Sequence, residues 1–224
     1  MLKIFIGSVI VASSIFAVDL QTDGVEVKYK DTKDVTKTIV IKREKKEECK
    51  NVNFDPSAVY GGVHQAADSV DANCKRSFVT YMGKISPMKY SANVETFGEL
   101  ETLQFIEKAK NDTNLLLVDS RTENWFFHET IPGAVNVPYV YLKQSQYPDE
   151  FEEYLAILGV KKVNGKYDFT NAKELLMFCN GAWCGQSPES MKYLIEIGYP
   201  ESKLKWYGGG MQSWLSLGLT TVKP

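Results

Sequence analysis

Two short apolar runs and a short final strand, separated by stretches in which apolar residues recur at helical spacing, constrain the fold of this 224-residue chain most strongly. The runs are "NLLLVDS" at 114–120 and "ELLMF" at 174–178, and the final strand is "LKWY" at 204–207. Continuous apolar runs of this length are typical of strands that are buried on both faces, as in a parallel sheet. Strands that alternate with helices predict a central parallel sheet flanked by helices, and therefore an α/β fold.

Three helices are predicted around these strands, two from start signals and one from the spacing of its apolar residues. Thr96 and Glu99 fit a capping box, in which Thr96 is the N-cap and the Glu99 side chain reaches back to it. A second helix is predicted over about residues 149–158 from the spacing of its apolar side chains. A third is predicted to begin with Ser187 as its N-cap and Pro188 in its first position.

Residues 1–17, "MLKIFIGSVIVASSIFA", have the composition of a secretory signal peptide. One early lysine, an apolar stretch and small residues at the end follow one another in the order of such a signal. The apolar stretch is shorter than the ~20 residues that span a bilayer. We therefore expect cleavage after Ala17 and an exported, periplasmic protein whose mature chain has no membrane span.

Residues 18–92 differ in character from the rest of the chain. Apolar and polar residues alternate over 25–29 and again over 37–42, which predicts a small β-hairpin and a mainly-β N-terminal region of unknown role. Export would allow Cys49 and Cys74 to form a disulfide. The mixed-charge run "KREKKEECK" is interpreted either as a solvated segment or as a surface for a protein partner.

The composition argues against several classes of partner and cofactor. A formal net charge of −2 gives no attraction for nucleic acid. The two histidines, His64 and His128, and the four cysteines show no metal-ligand spacing. We therefore predict neither a nucleic-acid partner nor a metal, and no other cofactor.

The segment "LLMFCNGAWCGQSP" at 175–188 contains two cysteines, five positions apart, between a predicted strand and a predicted helix. Its second half resembles a thioredoxin site built on Cys184, except that Ser187 stands where the second redox cysteine belongs. In its first half, Cys179 ends a buried strand and opens a loop. The first interpretation makes Cys184 the chemical residue, and the second makes it Cys179.

Three separated pieces of the sequence resemble the rhodanese (sulfurtransferase) family, in the order in which that family has them. They are "LLLVDSR" at 115–121, "IPGAVNVPY" at 131–139 and "WYGGGMQSWLSLG" at 206–218. The resemblance implies a single rhodanese-like domain over residues 93–224 with Cys179 as the catalytic nucleophile. It also implies an enzyme that moves sulfane sulfur from a small donor, through a persulfide on Cys179, to a thiol or another nucleophilic acceptor.

The resemblance further implies an active-site loop about two residues longer than is usual in that family. The loop residues are Asn180, Gly181, Ala182, Trp183, Cys184, Gly185, Gln186 and Ser187. Loop amides and the N-terminus of the following helix are expected to stabilise the thiolate of Cys179. Asp119 and Arg121 are expected to anchor the loop by hydrogen bonds rather than to transfer protons.

Two departures from the family pattern bear on the activity. The loop contains no Arg or Lys, which disfavours thiosulfate and favours a neutral or thiol-bound sulfane sulfur as the donor. Glu129 and Thr130 replace the family's Gly-His pair, so that His128 does not inherit that role. The missing cation leaves open a non-enzymatic sulfur carrier or partner-binding module. A thiol–disulfide redox protein that uses Cys179 and Cys184 is a third interpretation.

Two interpretations of Cys184 stay open at the level of sequence. As a secondary redox residue, it would attack the persulfide or an oxidised sulfur of Cys179 and form a Cys179–Cys184 disulfide. As a packing residue, it would only fill space beside Trp183. Sequence separation does not decide between them, because a disulfide requires Cα atoms within about 7 Å of each other.

Overall fold

The computed structural model describes residues 25–41, 47–49, 71, 74 and 87–224. The predicted signal peptide and the remainder of the N-terminal region lie outside the described residues. Within the described part of the chain, no helix has both the length and the apolar character needed to cross a membrane. The central sheet and the loop that follows Cys179, called the cysteine loop below, both belong to the continuous stretch 87–224.

The N-terminal region contains the predicted hairpin. Its strands β1 (Val25–Lys30) and β2 (Thr36–Ile41) pair antiparallel. Cys49 and Cys74, both buried, are joined by a disulfide with their Cα atoms 5.4 Å apart. This is the pairing that the sequence prediction proposed.

Five parallel strands form the central sheet, in the order β3-β9-β8-β4-β5. The strands that follow β2 are β3 (Glu95–Thr96), β4 (Leu115–Asp119), β5 (Val135–Asn136), β6 (Lys161–Val163), β7 (Lys166–Asp168), β8 (Glu174–Phe178) and β9 (Leu204–Tyr207). The three strands predicted for the centre of the domain are β4, β8 and β9, and they lie side by side in the middle of this sheet. The predicted parallel α/β fold is confirmed.

Helices cover both faces of the sheet. They are α1 (Glu99–Ala109), α2 (Glu123–His128), α3 (Pro148–Ile157), α4 (Gln186–Glu196) and α5 (Gly210–Ser216), with short 3-10 turns at Glu47–Cys49, Tyr139–Leu142 and Glu201–Lys203. Successive side chains of β8 point to opposite faces, as in any strand. Leu175 and Met177 pack in one apolar cluster with residues of α3 and α4, whereas Leu176 and Phe178 pack in the other with residues of α1 and α5. The strand before the cysteine loop is therefore held from both sides.

The predicted cap of the first helix was wrong by two residues. Thr96 belongs to β3, and its hydroxyl donates to the carbonyl oxygen of Met88 at 3.0 Å. Gly98 is the N-cap, and its N–H donates to Oε2 of Glu101 at 3.0 Å. Pairing of β3 with β9 extends the strand into the predicted cap, so that the helix starts later.

Sequence reasoning missed the hairpin formed by β6 and β7. Its turn residues, Asn164 and Gly165, both have positive φ, 51° and 78°. An Asn-Gly pair is a strong signal for this type of turn, because both central positions require φ above zero. The strands escaped notice because they are three residues long and mostly polar.

Candidate active site

Cys179 lies at the carboxyl edge of the central sheet, directly after β8. It is buried, with 1% of its surface exposed. The chain then curls through a loop, in which the Cys184 N–H donates to the carbonyl oxygen of Gly181 at 2.9 Å. The loop ends at Gly185, which is the N-cap of α4.

The structure corrects the predicted end of this loop. Gln186 and Ser187 belong to the first turn of α4, so that neither is a loop residue and Ser187 is not the N-cap. Oγ of Ser187 lies 3.2 Å from Sγ of Cys179 and donates a hydrogen bond to it.

Trp206 of β9 orients this hydroxyl. Its indole Nε1 donates to Oγ of Ser187 at 3.1 Å. An indole N–H is only a donor, so the Ser187 oxygen must accept in this contact. The single hydroxyl proton of Ser187 is then available to the sulfur of Cys179. Trp206 was not predicted as a site residue, because an aromatic residue in a buried strand is ordinarily assigned to the hydrophobic core.

The environment of Cys179 favours its thiolate. Burial alone would raise its pKa, but hydrogen bonds from the Cys184 thiol, the Ser187 hydroxyl and the backbone amides of Ser187 and Gly181 outweigh it and lower the pKa to about 7. The pKa of Cys184 moves the other way, raised by burial, by its hydrogen bond to Cys179 and by the negative charge there. At neutral pH, Cys179 therefore has the larger thiolate fraction of the two, and Cys184 keeps its proton.

The start of α5 holds the backbone of the loop. The Met211 N–H donates to the carbonyl oxygen of Cys179 at 3.0 Å, and the Gln212 N–H donates to that of Asn180 at 2.9 Å. Gly210 has a φ of +55°, and a Cβ there would lie 2.3 Å from the carbonyl oxygen of Cys179. The close approach of loop and helix therefore requires glycine at this position.

Trp183 and Gln212 close the outer side of the loop. Nε1 of Trp183 donates to Oε1 of Gln212 at 2.8 Å, and Trp183 is half-buried. A Cβ on Gly181 would lie 2.9 Å from that same Oε1 atom. Trp183 is therefore a wall of the loop, whereas Ala182 is exposed. Gln212 was not predicted as a site residue, because nothing in its sequence context marks it.

Asp119 and Arg121 form a fully buried ion pair beneath the loop. Nη2 of Arg121 lies 2.6 Å from Oδ2 of Asp119, and both side chains have no exposed surface. Arg121 also donates to the carbonyl oxygen of Glu129 at 2.6 Å and to Oδ1 of Asn180 at 3.4 Å. Thr130 donates to Oδ2 of Asp119 at 2.7 Å. These contacts join the end of β4 to the first residue after Cys179, as an anchor does.

Comparison with known proteins identifies the domain. The family described as rhodanese-like domain matches residues 102–217, which is more than half of the chain. The chain belongs to the rhodanese-like family. It is 29% identical over 140 residues to a Saccharomyces cerevisiae protein named thiosulfate:glutathione sulfurtransferase, and the match covers 61% of this chain and 88% of that protein.

Solved structures with similar folds include an uncharacterized protein from Saccharomyces cerevisiae. It is 28% identical, with a TM-score of 0.41, and the match covers 57% of this chain and 95% of that one. A human single-domain sulfurtransferase is 20% identical, with a TM-score of 0.38, over 56% of this chain and 97% of that one.

The loop of this rhodanese-like site carries no charged side chain, and a threonine stands where the family has a histidine. Thr130, in place of the family's histidine, serves Asp119 through its hydroxyl. His128 is the last residue of α2. In the described part of the chain, no group of three or more His, Cys, Asp or Glu side chains could hold a metal ion. The arrangement can therefore perform thiol chemistry at Cys179, with the thiol of Cys184 beside it.

Replacing Ser187 with alanine should raise the pKa of Cys179 from about 7. The variant loses the hydroxyl that donates to the sulfur, and a hydrogen bond to a charged group is worth about 1.5–3 kcal/mol. Since one pKa unit corresponds to about 1.4 kcal/mol, we expect an increase of about one unit or more. The pH dependence of iodoacetamide labelling at Cys179 measures it.

Two further variants serve as comparisons for Ser187→Ala. Trp206→Phe keeps the serine but removes its orienting donor, so that a smaller rise in the pKa of Cys179 is expected. Ser190→Ala is the matched control, because Ser190 is buried in the same helix and its Oγ has no hydrogen-bond partner among the described residues. Equal pH profiles for Ser187→Ala and Ser190→Ala would contradict a thiolate-stabilising role for Ser187.

Replacing Gly210 with alanine should disturb the cysteine loop more than an equally strained substitution elsewhere. The added Cβ would displace the carbonyl oxygen of Cys179, and overpacking of this kind costs about 1–3 kcal/mol. Gly218→Ala is the control, since Gly218 has a φ of +67° but open space around it. Urea unfolding of both variants should give the larger loss for Gly210→Ala; equal losses would show that the loop adapts freely.

Proposed function

We propose that this protein is a sulfurtransferase that carries sulfane sulfur as a persulfide on Cys179. The observation that carries the proposal is the hydrogen-bonded environment that lowers the pKa of the Cys179 thiol at the strand end. Membership of the rhodanese-like family and the name of the yeast relative support the same class of activity. Export to the periplasm is part of the proposal, and the Cys49–Cys74 disulfide supports it.

The reaction has two transfers of a neutral sulfur atom. The Cys179 thiolate attacks the sulfane sulfur, a new S–S bond forms, and the donor leaves with the electron pair of its broken bond. A thiolate acceptor then attacks the outer sulfur of the persulfide and departs with it. The bond to Cys179 breaks, its electron pair returns to Cys179, and the thiolate is regenerated.

The loop favours a small donor without a dianionic group. Residues 180–187 contain no Lys or Arg, and their contribution to the site consists of amides, a hydroxyl and a thiol. Arg121 reaches the loop through Asn180, but its charge is paired with Asp119. Burial of Cys179 further favours a compact donor. We therefore assign the donor to the class of low-molecular-weight persulfides and polysulfides, with a thiol as acceptor.

The direct test is the mass of the intact protein after exposure to glutathione persulfide. We expect a fraction of the parent chains to gain one sulfur atom. Peptide mapping should locate this atom on Cys179, and Cys179→Ser should not gain it. Under steady-state conditions, Cys179→Ser should fall to the uncatalysed rate. Absence of both a sulfur adduct and any Cys179-dependent turnover, with persulfides, polysulfides and thiosulfate, would overturn the proposal. An adduct without turnover would instead support the non-enzymatic carrier that the neutral loop also allows.

The donor assignment makes a separate prediction. Ala182→Lys places a cation at an exposed loop position without altering the core. Attraction between unit charges about 4 Å apart in water is about 1 kcal/mol, so that kcat/KM for thiosulfate should rise about fivefold. Activity with a persulfide donor should change less. Ala182→Met is the neutral control of similar length; an equal gain in both variants would show that charge is not limiting.

A further inference from the structure

Cys184 is a buried thiol that the sulfur transfer described above does not require. It is 5% exposed, and the turn between Gly181 and Cys184 brings it back to Cys179. Sγ of Cys179 donates a hydrogen bond to the backbone carbonyl oxygen of Cys184 at 3.5 Å, and hydrogen bonding from the Cys184 thiol is one of the effects that lower the pKa of Cys179. The backbone of Cys184 is therefore in contact with Sγ of Cys179, and its buried thiol is near the atom on which the persulfide would form.

We propose that Cys184 is a second catalytic cysteine, which attacks the inner sulfur of the Cys179 persulfide, closes a Cys179–Cys184 disulfide and releases the outer sulfur as sulfide. The inference rests on the proposed persulfide at Cys179. It gives the protein a further activity, the reduction of sulfane sulfur to hydrogen sulfide. It also assigns the class of the final reductant, which must be a thiol able to open a buried disulfide.

The step balances without an external oxidant. The outer sulfur of the persulfide anion takes the proton of the Cys184 thiol, which leaves Cys184 as a thiolate. This thiolate attacks Sγ of Cys179, the S–S bond of the persulfide breaks, and the outer sulfur leaves as HS⁻ with the electron pair. The sulfur of Cys184 is oxidised from the thiol to the disulfide level, and the outer sulfur is reduced to sulfide.

The surroundings favour this internal attack. The pair lies in a water-poor part of the loop, where an external thiol has poor access to Sγ of Cys179. Cys184 is held there by a backbone turn, so that the attack is intramolecular and benefits from proximity. The proton retained by Cys184 supports the step, because a departing sulfide needs that proton.

The cycle closes when a reductant opens the disulfide. Two thiol groups must be oxidised for each disulfide reduced, so that a dithiol completes the reaction in one encounter, whereas a monothiol is consumed twice. We therefore assign the reductant to the dithiol class. A protein that followed only the simple transfer would instead release its sulfur as the persulfide of an acceptor thiol.

The experiment is a single turnover under anaerobic conditions. Parent protein, Cys184→Ser, Cys184→Ala and Cys179→Ser are each mixed with one equivalent of glutathione persulfide. Sulfide is trapped as its bimane adduct, and acid-quenched protein is mapped by mass spectrometry without reduction. The 179–184 linked peptide is distinguished by mass from the Cys49–Cys74 linked peptide. Cys179→Ser sets the background of sulfide from the donor itself.

The parent is expected to release about one equivalent of sulfide per chain and to yield the 179–184 linked peptide. Cys184→Ser and Cys184→Ala should retain sulfur on Cys179 and release sulfide at least tenfold more slowly. Serine keeps a hydrogen-bond donor and alanine does not, so that equal loss in both variants separates nucleophilic attack by Cys184 from its effect on the pKa of Cys179.

Three results would overturn the inference. Cys184→Ser that releases sulfide at the parental rate excludes attack by Cys184. A parent that keeps its persulfide, forms no linked peptide and passes sulfur to added thiol refutes the inference and leaves the proposed function intact. Failure of the parent and both Cys184 variants to take up sulfur on Cys179 removes the proposed function and the inference together.

Discussion

The buried Asp119–Arg121 pair is the interaction on which the geometry of the site depends. Desolvating two charges is costly, and such a pair is favourable only when further hydrogen bonds satisfy its remaining atoms. Here Thr130, the Glu129 carbonyl oxygen and Asn180 provide them. Loss of one partner would leave a buried charge without compensation. The position of the residue after Cys179 is thus tied to the end of a neighbouring strand.

A thiolate in a neutral loop needs stabilisation from groups without a full charge. Two backbone amides, the Ser187 hydroxyl and the Cys184 thiol provide it here, and together they outweigh the effect of burial on the pKa of Cys179. Their directions are set by the fold, since Trp206 in β9 determines which way the serine proton points. Because these groups are dipoles rather than charges, they would also stabilise the proposed persulfide anion without attracting free anions strongly.

Periodic patterns in the sequence predicted the fold, whereas the arrangement of the site depends on individual side-chain contacts that form only in the folded chain. The apolar runs before Asp119 and Cys179 identified β4 and β8, because burial on both faces leaves a signal in every residue of a strand. The role of Ser187 could not be predicted, since capping and contact with Cys179 require the same residue type. The contact with Trp206 was also beyond prediction, because it joins residues that are close only after β8 and β9 have paired.

Formation of a persulfide on Cys179 would change the chemical role of the Cys184 thiol beside it. Before it forms, the Cys184 proton lowers the pKa of Cys179, and the resulting negative charge raises the pKa of Cys184. Once sulfur is added, the negative charge moves to the outer sulfur, and Sγ of Cys179 becomes an electrophile. The side chain that stabilised the nucleophile then lies beside the atom to be attacked. In the proposed mechanism, one contact that is present before any substrate arrives would therefore serve both the capture of sulfur and its release.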